Sequence, residues 1–285
     1  MKAAPEKIAE GLLLAVACSA VLSLGLIAAF ILKEGLPFIL KVGPLEFFFS
    51  SDWRPQAGHY GIFPMIVSTL YVTFGALAIG APLAIAGAVF LTQFAPPGLM
   101  RVVKPAIELL AGIPSVVYGF IGVMVLAPFI RTVFGGPGLS VLAAAVILGV
   151  MVLPTIMSIS VDAINAVPRS YLEGALALGA TRWRAVRTVV LKAASSGIVA
   201  GIVLGLGRAL GETMAVIMVA GNAVKIPGSP LESARTLTAN IALEMGFALG
   251  MHRQALFASG VVLLVIIILL NGLAMSALKK RGQAK

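Results

Sequence analysis

Long apolar runs, each broken by a short polar stretch, recur along the whole chain at about 8–32, 62–92, 105–130, 139–160, 196–222 and 255–278. Each run can cross the hydrocarbon core of a bilayer as a helix, which takes about 20 residues. The pattern predicts an all-α polytopic membrane protein with six transmembrane helices. Two longer connections interrupt it. Residues 33–61 carry Phe47, Phe48, Phe49, Trp53 and Tyr60, the composition of an interfacial aromatic belt. Residues 223–254 hold an apolar piece, Leu237 to Leu249, too short to span; it reads as a surface helix or a partly re-entrant element. The division expected is residues 1–61, a first helix and outer loop, and residues 62–285, the transmembrane domain proper.

Composition agrees with the pattern. The chain of 285 residues is 60% hydrophobic and 11% charged, with a mean hydropathy of +1.06. That leaves too little charge for a soluble surface. The net charge of +10 does not make a nucleic-acid binder, because the basic residues are spread over short loops rather than gathered into a patch. Placing both termini in the cytoplasm puts 13 Lys and Arg on that side and seven outside, which satisfies the positive-inside bias. Cys18 is the single cysteine, so no internal disulfide exists, and it reads as an inert residue of the first span. His59 and His252 stand alone in outer loops and read as polar surface residues. No metal-ligand spacing and no phosphate-binding glycine loop occurs. ATP and Mg, if used, belong to a partner, and the chain itself needs no cofactor.

The loop at about 161–195 is basic and helix-patterned. Pro168 ends the preceding span, and Ser170 with Glu173 has the spacing of a capping box. Gly179 suits the left-handed position after a helix, and Thr181 suits the cap of a second helix running from Arg182 to about Ala193. Arg182, Arg184 and Arg187 give the module a basic rim; Leu172, Leu176, Trp183 and Val186 supply apolar knobs. Such a pair of helices either lies on anionic lipid or docks on another protein, and the tight capping favours docking.

Charges inside the spans come next. Arg208 falls near the middle of the fifth run, where an arginine costs about 2.5–3.5 kcal/mol and needs a partner or a cavity. On a continuous helix Glu212 lies one turn further along the same face, and Gly197, Gly201 and Gly205 share that stripe. Two readings stand side by side: a structural ion pair, and a site on an anion path where Glu212 holds Arg208 until the gate opens. Glu108, three residues after Pro105, reads as a charge in the first turn of the third span. Gly112, Pro114 and Ser115 interrupt that helix, and such breaks occur beside pathways, which makes Ser115 a further path residue. Pro154 reads as a kink in the fourth span.

The loop resembles the EAA loop of ABC-importer permeases: Glu173, Gly174 and Ala175 stand at its first three positions, Gly179 at its glycine, Val189 and Leu191 near its end. Gly174 replaces an alanine and Lys192 a proline, a change expected to let the second loop helix run on into the fifth span. The six-span order, the segment Glu108–Ser115 and the segment Arg208–Ala215 are similar to those of phosphate-specific permeases, PstC-type more than PstA-type. The resemblance implies a type I ABC importer (MetI-like) permease fold in a bacterial inner membrane. It implies docking of an ATP-binding subunit dimer on Ser170, Glu173, Gly174, Ala175, Gly179, Thr181, Arg182 and Trp183. It further implies a second, PstA-type permease subunit, a periplasmic phosphate-binding protein, surrounding membrane lipid, and a substrate path through Arg208, Glu212 and Ser115. A permease for phosphonate, sulfate or molybdate would carry much the same loop. A secondary transporter would need no docking loop, and an intramembrane enzyme would need a catalytic constellation the spans lack.

Overall fold

The computed structural model describes residues 4–283; residues 1–3 and 284–285, which hold part of the charge behind the orientation argument, lie outside the described residues. The chain is helical almost throughout. Five helices among the described residues are long and apolar enough to cross a membrane, and a sixth span results if one bent pair is counted together.

The centre is α7 (Val141–Asn165), whose buried side runs from Val141 to Ile164. Ser140 caps it, its hydroxyl accepting the Ala143 amide at 3.2 Å. The helix continues through Pro154, which lies inside it. Against it lie α3 (Phe63–Val89), which continues as a π-helical turn to Phe94, and α11 (Ser195–Gly211). Small residues set the approach. A Cβ on Gly80 would stand 2.5 Å from the Gly149 carbonyl oxygen, so the α3 and α7 backbones touch. In a membrane, where burying apolar surface against another helix gains little over lipid, such close packing holds helices together.

The third span is shifted from its expected place. Residues 105–130 do not form one helix: α4 (Pro97–Gly112) is an amphipathic helix of its own, and the span runs from Ser115 to Phe134 as α5 (Ser115–Ile121), a π turn and α6 (Ala127–Phe134). Pro105 lies inside α4 and Pro97 begins it, so Glu108 sits mid-helix and exposed rather than in a first turn. Ile113 and Pro114, both extended, separate α4 from α5 because a residue before proline is driven out of the helical region.

A second cluster gathers at the end of the spans far from the 166–194 loop, called here the far end. The long α1 (Ala4–Val42) packs on α14 (Gly250–Gln283), with Gly35 against the Phe257–Ala258 backbone and Phe30 edge-on to Phe257. Residues 9–27 of α1 are all exposed. The connection after it folds into α2 (Pro44–Phe49) and a two-residue hairpin, β1 (Trp53–Arg54) with β2 (His59–Tyr60). Phe38, Phe47, Trp53 and Tyr60 are buried there, so these aromatics are core rather than an interfacial belt; Phe49 alone of the Phe47–Phe49 run is mostly exposed.

The piece beginning at Leu237 is α13 (Leu237–Glu244), with Leu237 to Asn240 buried and the Leu237 amide donating to the Thr69 hydroxyl of α3 at 3.0 Å. Its first half is thus buried, while Ala242 and Leu243 stay exposed, so it is a half-buried element rather than a helix lying on the surface. Its last residue, Glu244, is the hub of a polar lock: it accepts from Arg235 at 2.7 Å, from Trp53 Nε1 at 3.0 Å, and meets His252 Nε2 at 2.8 Å. His252 is thus half-buried and bonded, not a free surface residue.

Candidate functional site

Residues expected on the pathway come from two helices that both break. In α11 the glycine stripe does what its spacing predicts. Gly197 faces Ala163 of α7, Gly201 faces Ile156 and Ile159, and Gly205 faces Ile156 and Val152. The helix then stops at Gly211. Glu212 is extended (φ −71°, ψ 131°), and α12 (Met214–Val219) starts after Thr213.

This break overturns the expected pairing of Arg208 with Glu212. The two are not on one continuous helix face, and no ion pair joins them among the described residues. Glu212 is instead committed to the backbone. Its Oε1 accepts the Ala215 amide of α12 at 3.1 Å, and its carbonyl accepts the Thr238 hydroxyl of α13 at 2.9 Å. A carboxylate at the start of a helix satisfies one of the free amides there.

Arg208 is exposed and makes no hydrogen bond or ion pair among the described residues. Nearby in sequence to the α4–α5 break, the Tyr118 hydroxyl of α5 donates to the Leu110 carbonyl at 2.8 Å. That bond spans the Ile113–Pro114 break and satisfies a carbonyl freed at the end of α4. Ser115, half-buried, opens α5 one turn before Tyr118. Helices α5 and α12 run together, with Gly119 seated against Ala215 and Met218 and Gly122 against Val219. The two breaks, Ile113–Pro114 and Glu212–Thr213, therefore belong to one region. Val117, Phe120, Ile121, Leu204 and Met214 around it are exposed apolar side chains. An arginine in this setting presents a planar fork, unpaired with any carboxylate of the described residues, suited to two oxygens of one oxyanion.

Tyr118 and Thr238 did not figure among the expected site residues. A tyrosine four residues after a proline within a span is a usable signal, since its hydroxyl must find a partner. Nothing local points to Thr238, which reaches Glu212 from 26 residues away.

The basic loop forms α8 (Arg169–Ala177), a turn with Gly179 left-handed at φ +83°, and a second helical stretch, α9 (Arg182–Ala185), a π turn and α10 (Leu191–Ala193). Thr181 caps that stretch, accepting the Arg184 amide at 3.4 Å. The Ser170–Glu173 capping box does not form. Pro168 occupies the cap position, with no side chain to accept, and Ser170 lies already inside the helix. Nor does the second helix run on into α11: the chain bends by 68° between Ala193 and Ser195, despite Lys192 standing in place of a proline. Ser195 donates to the Lys192 carbonyl at 2.8 Å, satisfying the turn.

The loop's faces sort themselves clearly. Val186 is fully buried in the main core, so it is not a knob. Arg182 bonds the Gln93 carbonyl and lies 5.6 Å above the Phe94 ring, and Trp183 sits 6.2 Å from the same ring, so both brace the loop on the end of α3. Glu173, Gly174, Leu176 and Leu178 are exposed, which leaves α8 as the outward surface.

The profile of the family described as binding-protein-dependent transport system inner membrane component matches residues 80–281, more than two-thirds of the chain. The chain belongs to this family. The permease is 44% identical over 90% of its length, and 86% of the relative's, to a probable ABC transporter permease protein of Bacillus subtilis. It is 40% identical over 80% of its length (76% of the relative's) to the phosphate transport system permease protein PstC of Mesorhizobium japonicum, and 34% identical over 90% of both chains to the PstC protein of Haemophilus influenzae. Among solved structures it shares its fold with a bacterial alginate ABC transporter chain at a TM-score of 0.64, 18% identity and 94% coverage of both chains. A chain of the MetNI methionine ABC transporter matches at a TM-score of 0.58 and 23% identity, covering 78% of the permease and 94% of that chain. The permease is thus a multi-pass membrane transport subunit and not an enzyme, and the type I importer fold expected from the sequence is the fold it has.

Proposed function

We propose that the permease forms one half of the translocation path of an ATP-driven importer of inorganic phosphate, working by alternating access. The observation that carries this reading is Arg208: an exposed intramembrane guanidinium, unpaired among the described residues, beside two helix breaks. Relatives named as phosphate transport permeases support the choice of substrate. Ser115 lines the same region, and Glu212 fixes its backbone rather than trapping Arg208.

The membrane is the bacterial inner membrane, with both termini and the α8–α10 loop in the cytoplasm. There α8, presenting Glu173, Gly174 and Ala175, meets a dimer of ATP-binding subunits, which hold the ATP and Mg. Ser170, Gly179, Thr181, Arg182 and Trp183 shape and brace the module. A second, PstA-type permease subunit completes the path; the largely uncovered α1 and the apolar surface around Arg208 support a partner chain in the membrane. A periplasmic phosphate-binding protein delivers the substrate at the far end.

The 68° turn at Ala194 sets how a push travels. The second loop helix is buried through Ala185, Val186 and Val190 beside α3 and α7, and it joins α11 through a satisfied turn. Displacement of the loop pivots the base of α11 against the glycine stripe, carrying Arg208 with it. The test is reconstitution with the partner subunits. Arg208→Ala is expected to abolish ATP-dependent phosphate uptake while the ATP-binding subunits still co-purify; undiminished uptake would overturn the reading. Competition by sulfate and arsenate then separates phosphate from other oxyanions.

A further inference from the structure

Between α3 and α11, on the side away from α7, an apolar groove of about 990 Å³ runs toward the α8–α10 loop. Phe74, Ile85 and Phe94 line its α3 wall, Ile202 its α11 wall, and Trp183 and Leu191 of the loop close its end. From Phe74 to Phe90 the wall is 16 residues of helix, about 24 Å at 1.5 Å per residue, longer than one leaflet of a ~30 Å core. The closed end is strongly cationic. Arg182 lies over the Phe94 ring; Arg184, next to Trp183 in the chain, and Arg187, four residues from both Trp183 and Leu191, are exposed. Aspartate and glutamate are absent from both the groove lining and the Arg182–Ser195 stretch.

We infer that this groove seats the acyl chain of an anionic phospholipid, whose headgroup phosphate is held by Arg184 and Arg187 of the loop. A fully apolar trough ending in guanidinium groups matches a molecule with a hydrocarbon tail and a charged head. Basic pockets between transmembrane helices are known to take such headgroups. Trp183 occupies the boundary between tail and head, where an indole is at home. The lipid braces the loop from beneath, so that anionic lipid sets how firmly the second loop helix is held against α3. The loop is thus both a docking element and a lipid-binding one, on different faces.

The permease has two tryptophans, and Trp53 is buried at the far end, so the fluorescence lost in Trp183→Phe belongs to Trp183. The chain is placed in phosphatidylcholine nanodiscs containing either brominated phosphatidylglycerol or brominated phosphatidylcholine at equal mole fraction. The brominated anionic lipid is expected to quench Trp183 at least about twofold more than the zwitterionic one, and to saturate at low mole fraction. Arg184→Gln with Arg187→Gln is expected to remove that excess with an unchanged circular dichroism spectrum. Equal quenching by the two lipids, a linear response without saturation, or an excess that survives in the double variant would overturn the assignment. So would protection of Trp183 from both lipids, the result if another helix fills the groove.

Discussion

Glu244→Gln is the sharpest test of the far-end lock. The carboxylate is 14% exposed and serves three groups at once: Arg235 (19% exposed) on Oε1, and Trp53 and His252 on Oε2. Glutamine keeps the size but offers one acceptor oxygen, so its amide group must face one of the former donors. Breaking a fully buried pair costs about 3–5 kcal/mol, and hydrogen bonds to charged groups contribute about 1.5–3 each. Partial exposure and the remaining bonds of Arg235 to the Asn222 and Asn240 oxygens, at 2.9 and 3.1 Å, bring the figure down. About 2–3 kcal/mol remains, or roughly 3–5 °C in the unfolding midpoint for a chain of this size. Thermal unfolding of the detergent-solubilised permease, followed through tryptophan fluorescence, measures it. Arg235→Gln combined with Glu244→Gln should cost less than the sum of the two single changes, since both remove one interaction. A midpoint shift no larger than that of exposed Glu46→Gln, or strict additivity of the pair, would refute the lock.

Gly80→Ala is expected to force α3 from α7, because its Cβ would stand 2.5 Å from the Gly149 carbonyl oxygen. Overpacking of this kind costs about 1–3 kcal/mol, and a lowered unfolding midpoint checks it; an unchanged midpoint would show that the backbones are not in contact. In the hairpin, Arg54 hydrogen-bonds Asp52 and, despite slight desolvation, holds its carboxyl below the usual carboxylate range. A depressed value means that the contribution to the hairpin is present above the ordinary carboxylate range and fades as pH falls through the lowered value. Only Asp52 and Asp162 are aspartates, so carboxyl-labelled aspartate NMR follows both. Arg54→Gln should move one titration upward and leave the other in place; two unmoved titrations would sink this account.

The sequence by itself determined the class, the number of spans and the loop module. Bilayer thickness forces apolar runs of a minimum length, and those runs are visible residue by residue. Gly179 and Thr181 announced their roles because a left-handed turn and a helix cap are local events governed by one residue's own chemistry. The glycine stripe of α11 was legible for the same reason, since helical periodicity alone puts Gly197, Gly201 and Gly205 on one face.

Tertiary structure decided whatever depended on where one helix stops and which distant group compensates. Nothing in the run 196–222 marks the end at Gly211 as strongly as its outcome does. The break stands because Thr238, 26 residues away, and Glu212's own carboxylate satisfy the groups it frees. Likewise Pro114, rather than Pro105, divides α4 from the third span, with Tyr118 closing the gap. His252 became part of a lock only when α13 and the hairpin were brought to it. A backbone break inside a membrane is tolerable only with partners for its amides and carbonyls. Those partners come from elsewhere in the fold, so position along the chain could propose Arg208 but not free it from Glu212.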